Sequence, residues 1–239
     1  MIHALHGMIG DPTDWDFLRG SLPLPVTAHP LWQQVDHFVP WARKFCTSVA
    51  RHPDPPVLLG YSMGGRLALH ALVEQPTLWR AAIVVSAHSG LTDREARRAR
   101  WSQDNEWAMR VRSLPWQTFL QIWNEQGVLA GSPVPGNRMP MWQWRQAIVQ
   151  AFDCWGLGRQ QDLLPKLAPI TVPTLWITGE RDEKFDAVGS RAVAAMPAAR
   201  HLRIPGAGHR LPWEKPDAFL TAVREFLAEL GSPPPPAAD

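Results

Sequence analysis

The chain has 239 residues, of which 45% are hydrophobic and 19% charged, a composition typical of a globular protein rather than a disordered one. Lys and Arg total 24 and Asp and Glu total 22, so the formal net charge of +2 argues against a nucleic-acid-binding protein that depends on counterion release. The sequence has no run of 18 apolar residues and begins without the segments of a signal peptide. We therefore expect a cytoplasmic protein that does not bind membranes.

The two cysteines, Cys46 and Cys154, are too few for a disulfide framework and lack the CxxC spacing of redox and zinc sites. We interpret them as buried core thiols. The chain also lacks an HExxH motif and any cluster of Cys and His. We therefore predict no metal and no cofactor, and a small molecule as the partner.

Short apolar runs alternate with helical patterns along the chain, which is typical of a parallel β-sheet with helices on both faces. We predict strands at 2–5, 26–28, 57–59, 82–86, 174–178 and 201–204. We predict helices between them at 40–51, 63–74, 185–196 and 214–230.

Residues 90–166 interrupt this alternation, because they contain helical patterns and no convincing strand. Seven of the 13 tryptophans lie here: Trp101, Trp107, Trp116, Trp123, Trp142, Trp144 and Trp155. We interpret the segment as a helical lid between two parts of an α/β core, 1–89 and 167–230. These tryptophans are otherwise explained as the core of a small helical bundle. The proline-rich residues 231–239 are predicted to be a flexible tail.

Residues 60–65, GYSMGG, match the G-x-S-x-G pattern. The motif follows an apolar strand and precedes an amphipathic helix, the context of a nucleophile elbow. The elbow would place Ser62 at the carboxyl end of its strand and at the N-terminus of the next helix, whose dipole favours negative charge. Ser62 is therefore the predicted nucleophile or base.

A serine hydroxyl is a poor nucleophile or base unless a neighbouring group takes its proton. His209 follows the last predicted strand in the sequence GAGH, and Asp182 follows the fifth in GERD. Each of the three side chains comes directly after a different strand, so we expect them to meet at one edge of the sheet. Ser62, Asp182 and His209 are the predicted catalytic triad.

Alternatives to these residues remain. Glu180 and Asp186 lie close enough to the fifth strand to replace Asp182 as the acid. His88 follows the fourth strand and is a candidate pocket residue. We interpret three further histidines as surface or packing residues: His52, His70 and His201.

An oxyanion hole needs backbone N–H donors. One is expected from Met63, the residue after the nucleophile, and the other from the HGMIG loop after the first strand. Met8 is the predicted second donor, with Ile9 as the alternative.

The HG, GYSMGG, GERD and GAGH motifs resemble the α/β-hydrolase superfamily over most of the chain. More specifically, GYSMGGR at 60–66, GERDEKF at 179–185 and the basic helix at 94–100 are similar to the 2-succinyl-6-hydroxy-2,4-cyclohexadiene-1-carboxylate (SHCHC) synthases of menaquinone biosynthesis. That resemblance implies a lyase, in which the activated serine removes a substrate proton and pyruvate is eliminated. It also implies a substrate-binding set of Tyr61, Arg66, Arg100 and Trp123, with the arginines binding carboxylates.

The chain departs from this family in three ways. It begins at the strand before the oxyanion loop, so we expect an N-terminally truncated sheet of about six strands. The sequence after the second strand, TAHPLWQQ, lacks the family's Asp-x-Pro-Gly-His-Gly turn. The third family arginine has two candidates, Arg138 and Arg145. Arg100 also lies among charged residues that could form a solvated helix face.

A second hypothesis is a carboxylic-ester or C–C bond hydrolase that uses the same triad through an acyl-enzyme on a small, partly aromatic or apolar substrate. A third is a non-catalytic scaffold, against which the intact Ser, Asp and His set argues. Haloalkane and epoxide enzymes of this superfamily carry a carboxylate nucleophile, and Ser62 argues against them.

Overall fold

The computed structural model describes residues 1–51 and 54–231. Within them lies one sheet of six parallel strands in the order β2-β1-β3-β4-β5-β6. The strands are β1 (Ile2–Leu5), β2 (Val26–His29), β3 (Val57–Tyr61), β4 (Ala81–Val85), β5 (Thr174–Gly179) and β6 (Ala199–Ile204). This order confirms the predicted α/β-hydrolase architecture.

The central strands form because their side chains are apolar on both faces of the sheet. In β4, Ala82 and Val84 belong to the cluster that packs with the helices on one face, and Ile83 and Val85 to the cluster on the other. Every residue of β3 and β4 is buried. A continuous apolar run of this kind is typical of a parallel strand covered on both sides.

Helices flank the sheet on both faces: α1 (Phe38–Val49), α2 (Met63–Glu74), α7 (Glu183–Ala195), α8 (Leu211–Glu214) and α9 (Pro216–Glu229). Short 3₁₀ helices lie at Pro12–Leu18, Leu31–Gln33 and Pro76–Leu78. The predicted helix at 214–230 corresponds to α9, which begins at Pro216, a residue tolerated in the first turn of a helix, and the short helix α8 precedes it. Helix α2 has the predicted bounds.

The region between β4 and β5 is helical, and no strand occurs among its residues. It comprises α3 (Arg94–Ser113), α4 (Trp116–Glu125), a 3₁₀ helix (Met139–Trp144), α5 (Arg145–Trp155) and α6 (Leu164–Leu167). Asp93 caps α3 by accepting the Ala96 N–H at 2.7 Å. We call residues 94–155 the inserted segment.

The tryptophans of the inserted segment divide between packing and exposure. Trp116 and Trp155 are buried, whereas Trp142 is 64% exposed.

The two cysteines are also buried, and burial raises the pKa of the Cys46 thiol to about 12. Among the described residues, no helix combines the length and apolarity needed to cross a bilayer. His52 and residues 232–239 of the predicted tail lie outside the described residues.

Candidate active site

Ser62 lies at a sharp turn between β3 and α2. Its φ is 52° and its ψ is −110°, a conformation that L-residues rarely adopt and that costs about 1–3 kcal/mol. Its N–H donates to the Val85 carbonyl at 2.8 Å, which fixes the turn to the end of β4. Gly60 and Gly64 are required because a Cβ at either position would clash with facing backbone. The serine is thus held at the carboxyl edge of the sheet.

The structure brings the predicted Ser, His and Asp together. Ser62 Oγ lies 3.0 Å from His209 Nε2, and His209 Nδ1 lies 2.7 Å from Asp182 Oδ2. Both the imidazole and the carboxylate are buried. In this geometry the serine hydroxyl donates to Nε2 while Nδ1–H donates to the carboxylate, which fixes the imidazole tautomer.

The alternative acids make other contacts. Glu180 accepts the Gly206 N–H at 2.8 Å, and Asp186 accepts from the Arg203 Nε at 2.5 Å. His88 is buried away from the cavity described below, where its Nδ1 accepts the Gly90 N–H at 3.0 Å. The interpretation of His88 as a pocket residue is therefore wrong.

Two backbone amides near Ser62 are free to bind an oxyanion. The Met8 and Met63 N–H groups donate to no other group within the described residues, and both residues line the cavity beside Ser62. Ile9, the alternative donor, has a φ of 59° and also lines this cavity. Donors placed in this way stabilise negative charge that develops on a substrate oxygen.

His6 supports the loop that carries Met8. Its Nδ1 lies 2.9 Å from the Gly7 carbonyl, and the Leu31 N–H donates to its Nε2 at 3.4 Å. Burial lowers the pKa of His6 to about 4, so the ring is neutral and its Nδ1–H donates to Gly7. The HG pair at the end of β1 thus anchors the start of the oxyanion loop.

A cavity of about 340 Å³ opens beside Ser62 and is lined by both the sheet edge and the inserted segment. Its apolar wall comes from α4, α3 and α5. The Trp107 and Trp123 rings lie 5.0 Å apart at 80°, and Trp123 packs against Phe152 at 5.8 Å. Tyr61 also lines the cavity, with its ring 4.9 Å from that of Trp213.

One group of cations in the cavity consists of Arg66, Arg100 and Lys184. Arg66 is buried, donates to the Trp155 carbonyl and has no carboxylate partner within the described chain. Burial, and then the nearby Arg100, lower its pKa to about 9. Arg100 pairs with the buried Asp104 at 2.8 Å, so it is not merely part of a solvated helix face. The three cations outnumber the one carboxylate beside them, Asp104, so this part of the cavity carries a net positive charge and favours an anionic ligand.

Arg138 forms a second cationic position. Its Nη2 donates to Asp14 Oδ1 at 2.6 Å, whereas its buried Nη1 finds no acceptor among the described residues. Burial raises the pKa of Asp14 to about 6, although Arg138 acts in the opposite direction. Arg145 lies outside the cavity lining and donates to the Leu114 carbonyl at 2.8 Å. Of the two predicted candidates, the structure therefore places only Arg138 in the cavity.

Sequence reasoning missed several cavity residues, including Asp14, Gln103, Asp104, Lys184, Arg210 and Trp213. Two of them carried a usable signal. Asp104 follows Arg100 by four residues on a predicted helical pattern, the spacing of an ion pair on one helix face. Arg210 is adjacent to His209. The described residues contain no group of three or more His, Cys, Asp or Glu side chains that could hold a metal ion.

Comparisons with known proteins agree with the fold described above. An SHCHC synthase from Yersinia pestis is 29% identical over 251 residues, covering 97% of this chain and 88% of that protein. The structure of MenH from S. aureus superposes with a TM-score of 0.86 at 23% identity, covering 97% of this chain and 94% of that one. A thermophilic esterase from Thermogutta terrifontis gives 0.71 at 21% identity, covering 97% and 90%.

These likenesses confirm the resemblance inferred from the motifs, and the superpositions confirm the fold. The model of the alpha/beta hydrolase family matches residues 4–222, a range that includes the elbow, the acid loop and the histidine loop. By its sheet order, its strained serine turn and this match, the chain belongs to the alpha/beta hydrolase family.

Proposed function

We propose that this protein is a lyase that uses Ser62, His209 and Asp182 to remove a proton from a carboxylate-bearing substrate and eliminate pyruvate, as the name and chemistry of the SHCHC synthases suggest. The observation that carries this proposal is the hydrogen-bonded chain from Ser62 through His209 to Asp182, at 3.0 and 2.7 Å, beside a cavity that contains Arg66, Arg100 and Arg138. A triad alone would fit many reactions; the buried Arg66 and Arg138 and the half-buried Arg100 favour an anionic substrate.

The proton transfers follow from the geometry. His209 Nε2 accepts the Ser62 proton, and the Ser62 oxygen takes a proton from a substrate carbon. The released electron pair forms a C=C bond as the neighbouring C–O bond breaks, and pyruvate leaves as its enolate. That enolate takes up one proton to give pyruvate, which balances the proton that the His209 imidazolium releases as the triad is restored, so the reaction consumes no water. Asp182 stabilises the imidazolium that forms on His209.

On this proposal the amides of Met8 and Met63, both of which line the cavity, bind the substrate oxygen that gains negative charge when the carbon is deprotonated. Arg66 and Arg138 each have a buried guanidinium without a full set of partners, which suits them to bind substrate carboxylates. The aromatic wall with Trp123 would cover the apolar ring of such a substrate. On this proposal the inserted segment acts as a lid that excludes water.

The second candidate is an ester or C–C bond hydrolase, which the apolar wall of Trp107, Trp123 and Phe152 favours. In that reaction Ser62 attacks a carbonyl carbon, the leaving group departs with a proton from His209, and water then releases the acyl group. The two reactions share the triad and the oxyanion hole. They differ in whether Ser62 forms a covalent bond to the substrate and whether water is consumed.

A side-by-side assay separates them. Purified protein is given the enolpyruvyl precursor of the menaquinone pathway, with pyruvate release as the readout, and p-nitrophenyl esters of increasing chain length. We expect kcat/KM for pyruvate release to exceed that for every ester by about 100-fold or more, since only the first substrate has the carboxylates that the arginines bind. Ester turnover without pyruvate release would replace the lyase with the hydrolase.

A further inference from the structure

The loop that carries His209 is held on both sides by one carboxylate. Glu214, whose side chain is 5% exposed, accepts the Gly208 N–H at 2.7 Å and the Arg210 N–H at 3.1 Å. These amides directly precede and follow His209. Burial opposes the charge of Glu214, but the hydrogen bonds it accepts and the nearby Arg181 hold its pKa below the ordinary value. The carboxylate is therefore ionised at neutral pH.

The Glu214 carboxylate also accepts a hydrogen bond from the inserted segment. The Ser132 hydroxyl donates to Glu214 Oε1 at 2.8 Å. Arg210 makes a second connection, because its guanidinium donates to the Asn124 side chain and more weakly to the carbonyls of Ser132 and Pro133, at 3.3 and 3.4 Å. Two ionised side chains beside His209 thus have partners on residues 124–133.

Movement of residues 124–133 away from the core would break these contacts. The mostly buried Glu214 and Arg210 would then lose hydrogen bonds that compensate for their desolvation. Unless water replaced every lost partner, the backbone on either side of His209 would rearrange. The position of the imidazole therefore depends on where the inserted segment lies.

We propose that Glu214 and Arg210 are positioning residues that couple the docking of residues 124–133 to the alignment of the His209 imidazole with Ser62. The inference rests on the proposed function, in which His209 is the base for Ser62. Its consequence is that the base is fully aligned only when the inserted segment is docked over the cavity. A substitution within residues 124–133 that removes a hydrogen bond to Glu214 or Arg210 would then slow the reaction at Ser62.

Hydrogen–deuterium exchange tests the coupling independently of any reaction. We expect Ser132→Ala to raise the exchange rate of the backbone amides of residues 206–211 and 213 by about tenfold, because the loop loses one hydrogen bond that supports it. Ser132→Thr keeps the hydroxyl and should restore the slow exchange. Arg181→Gln is the matched control, since Arg181 contacts the same carboxylate at 2.8 Å but is 65% exposed and lies outside the inserted segment. Unchanged exchange in Ser132→Ala and in Asn124→Ala would overturn the coupling.

Inactivation by diisopropyl fluorophosphate tests its effect on Ser62. Ser132→Ala and Glu214→Gln should lower kinact by about tenfold with KI unchanged, because the reagent still binds while the base is misaligned. Ser132→Thr should recover kinact, and Arg181→Gln should match the wild type. Wild-type kinact in both Ser132→Ala and Glu214→Gln would contradict the proposal. A wild-type protein that does not react at all would instead refute the proposed function, and the exchange measurement would still decide the coupling.

Discussion

The carboxyl edge of the sheet and the inserted segment build the same cavity in different ways. Ser62, Asp182 and His209 each follow a strand directly, so the strand register sets their positions and the three groups meet within hydrogen-bond distance. Arg100 and Arg138 come from a helix and from the start of a 3₁₀ helix, where helix packing sets their positions. On the proposed function, the edge carries the chemistry and the inserted segment selects the substrate.

The largest expected effect lies at the edge. Ser62→Ala and His209→Ala should each lower kcat by about 10³-fold or more without unfolding the protein, because the hydroxyl and its base act as one unit. Pyruvate release and thermal unfolding would be measured in parallel. Ser86→Ala is the matched control, since Ser86 also has a positive φ, 45°, at the end of the neighbouring strand but does not line the cavity. Equal activity in Ser62→Ala and Ser86→Ala would remove Ser62 from the chemistry.

The two regions should also differ in stability. Leu59, in the centre of β3, is fully buried, and Leu59→Ala should lower the free energy of unfolding by about 2–5 kcal/mol. Leu120 on α4 is half-buried and lines the cavity, so Leu120→Ala should cost less stability and change KM more. Urea unfolding and steady-state kinetics on both variants test this contrast. A larger stability loss for Leu120→Ala would contradict it.

The arginines of the inserted segment allow a sharper test. Arg138→Gln should lower kcat/KM for the carboxylate substrate by about 10- to 100-fold, corresponding to the loss of a charged hydrogen bond of about 1.5–3 kcal/mol. Arg145→Gln is the control, because Trp116 contacts both arginines. The Trp116 Nε1–H donates to the Arg138 carbonyl at 2.9 Å, and the Arg145 guanidinium lies 5.8 Å from the Trp116 ring, but Arg145 lies outside the cavity. We expect it to retain nearly wild-type kcat/KM. Equal losses of kcat/KM in the two variants would show that an arginine's position in the cavity does not determine its contribution to substrate binding.

The smallest expected effect is the pH dependence of stability. It arises from histidines outside the inserted segment, because residues 90–166 contain no histidine. Burial lowers the pKa of His6 to about 4 and the pKa values of His70 and His88 to about 3. Unfolding raises these values towards 6.5, so the unfolded chain binds more protons below that pH. Stability should therefore be full above pH 6.5 and fall as the pH decreases towards 4, by about 1.4 kcal/mol per pH unit for each histidine.

Urea unfolding at pH 7.5, 6.5 and 5.5 measures this dependence. His88→Gln should reduce the loss of stability between pH 6.5 and 5.5 by about 1 kcal/mol, because an imidazole with an unfolded pKa near 6.5 is already half protonated at the upper end of this interval. A stability that does not change with pH in this range would show that the three rings are not held neutral by the core.

The residues at the carboxyl edge of the sheet could be predicted from the sequence because local sequence patterns indicate their positions. A strand, a glycine turn and a polar residue in close succession indicate where each of Ser62, Asp182 and His209 lies, and parallel strands bring their carboxyl ends together. The start of α2 follows from the same motif. The short helix α8 was not predicted, because four residues are too few to show a helical apolar period.

The inserted segment could not be predicted to the same depth. Its helices are visible in the pattern, but whether a side chain such as Arg138 or Arg145 enters the cavity depends on how those helices pack, which sequence spacing does not determine. The Asp14–Arg138 pair joins residues 124 positions apart, and no local pattern indicates such a contact. Arg66 and Arg100 were found only through a family resemblance.

Covalent labelling of Ser62 tests most directly whether His209 and Asp182 activate it. The protein is treated with diisopropyl fluorophosphate, and the modified residue is identified by peptide mass spectrometry in the wild type, His209→Ala and Asp182→Asn. We expect a single adduct on Ser62 in the wild type, with labelling slowed by about 10³-fold or more in His209→Ala and markedly in Asp182→Asn. Equally fast labelling of Ser62 in the wild type and His209→Ala would contradict the proposed activation, as would an adduct on another residue with Ser62 unmodified.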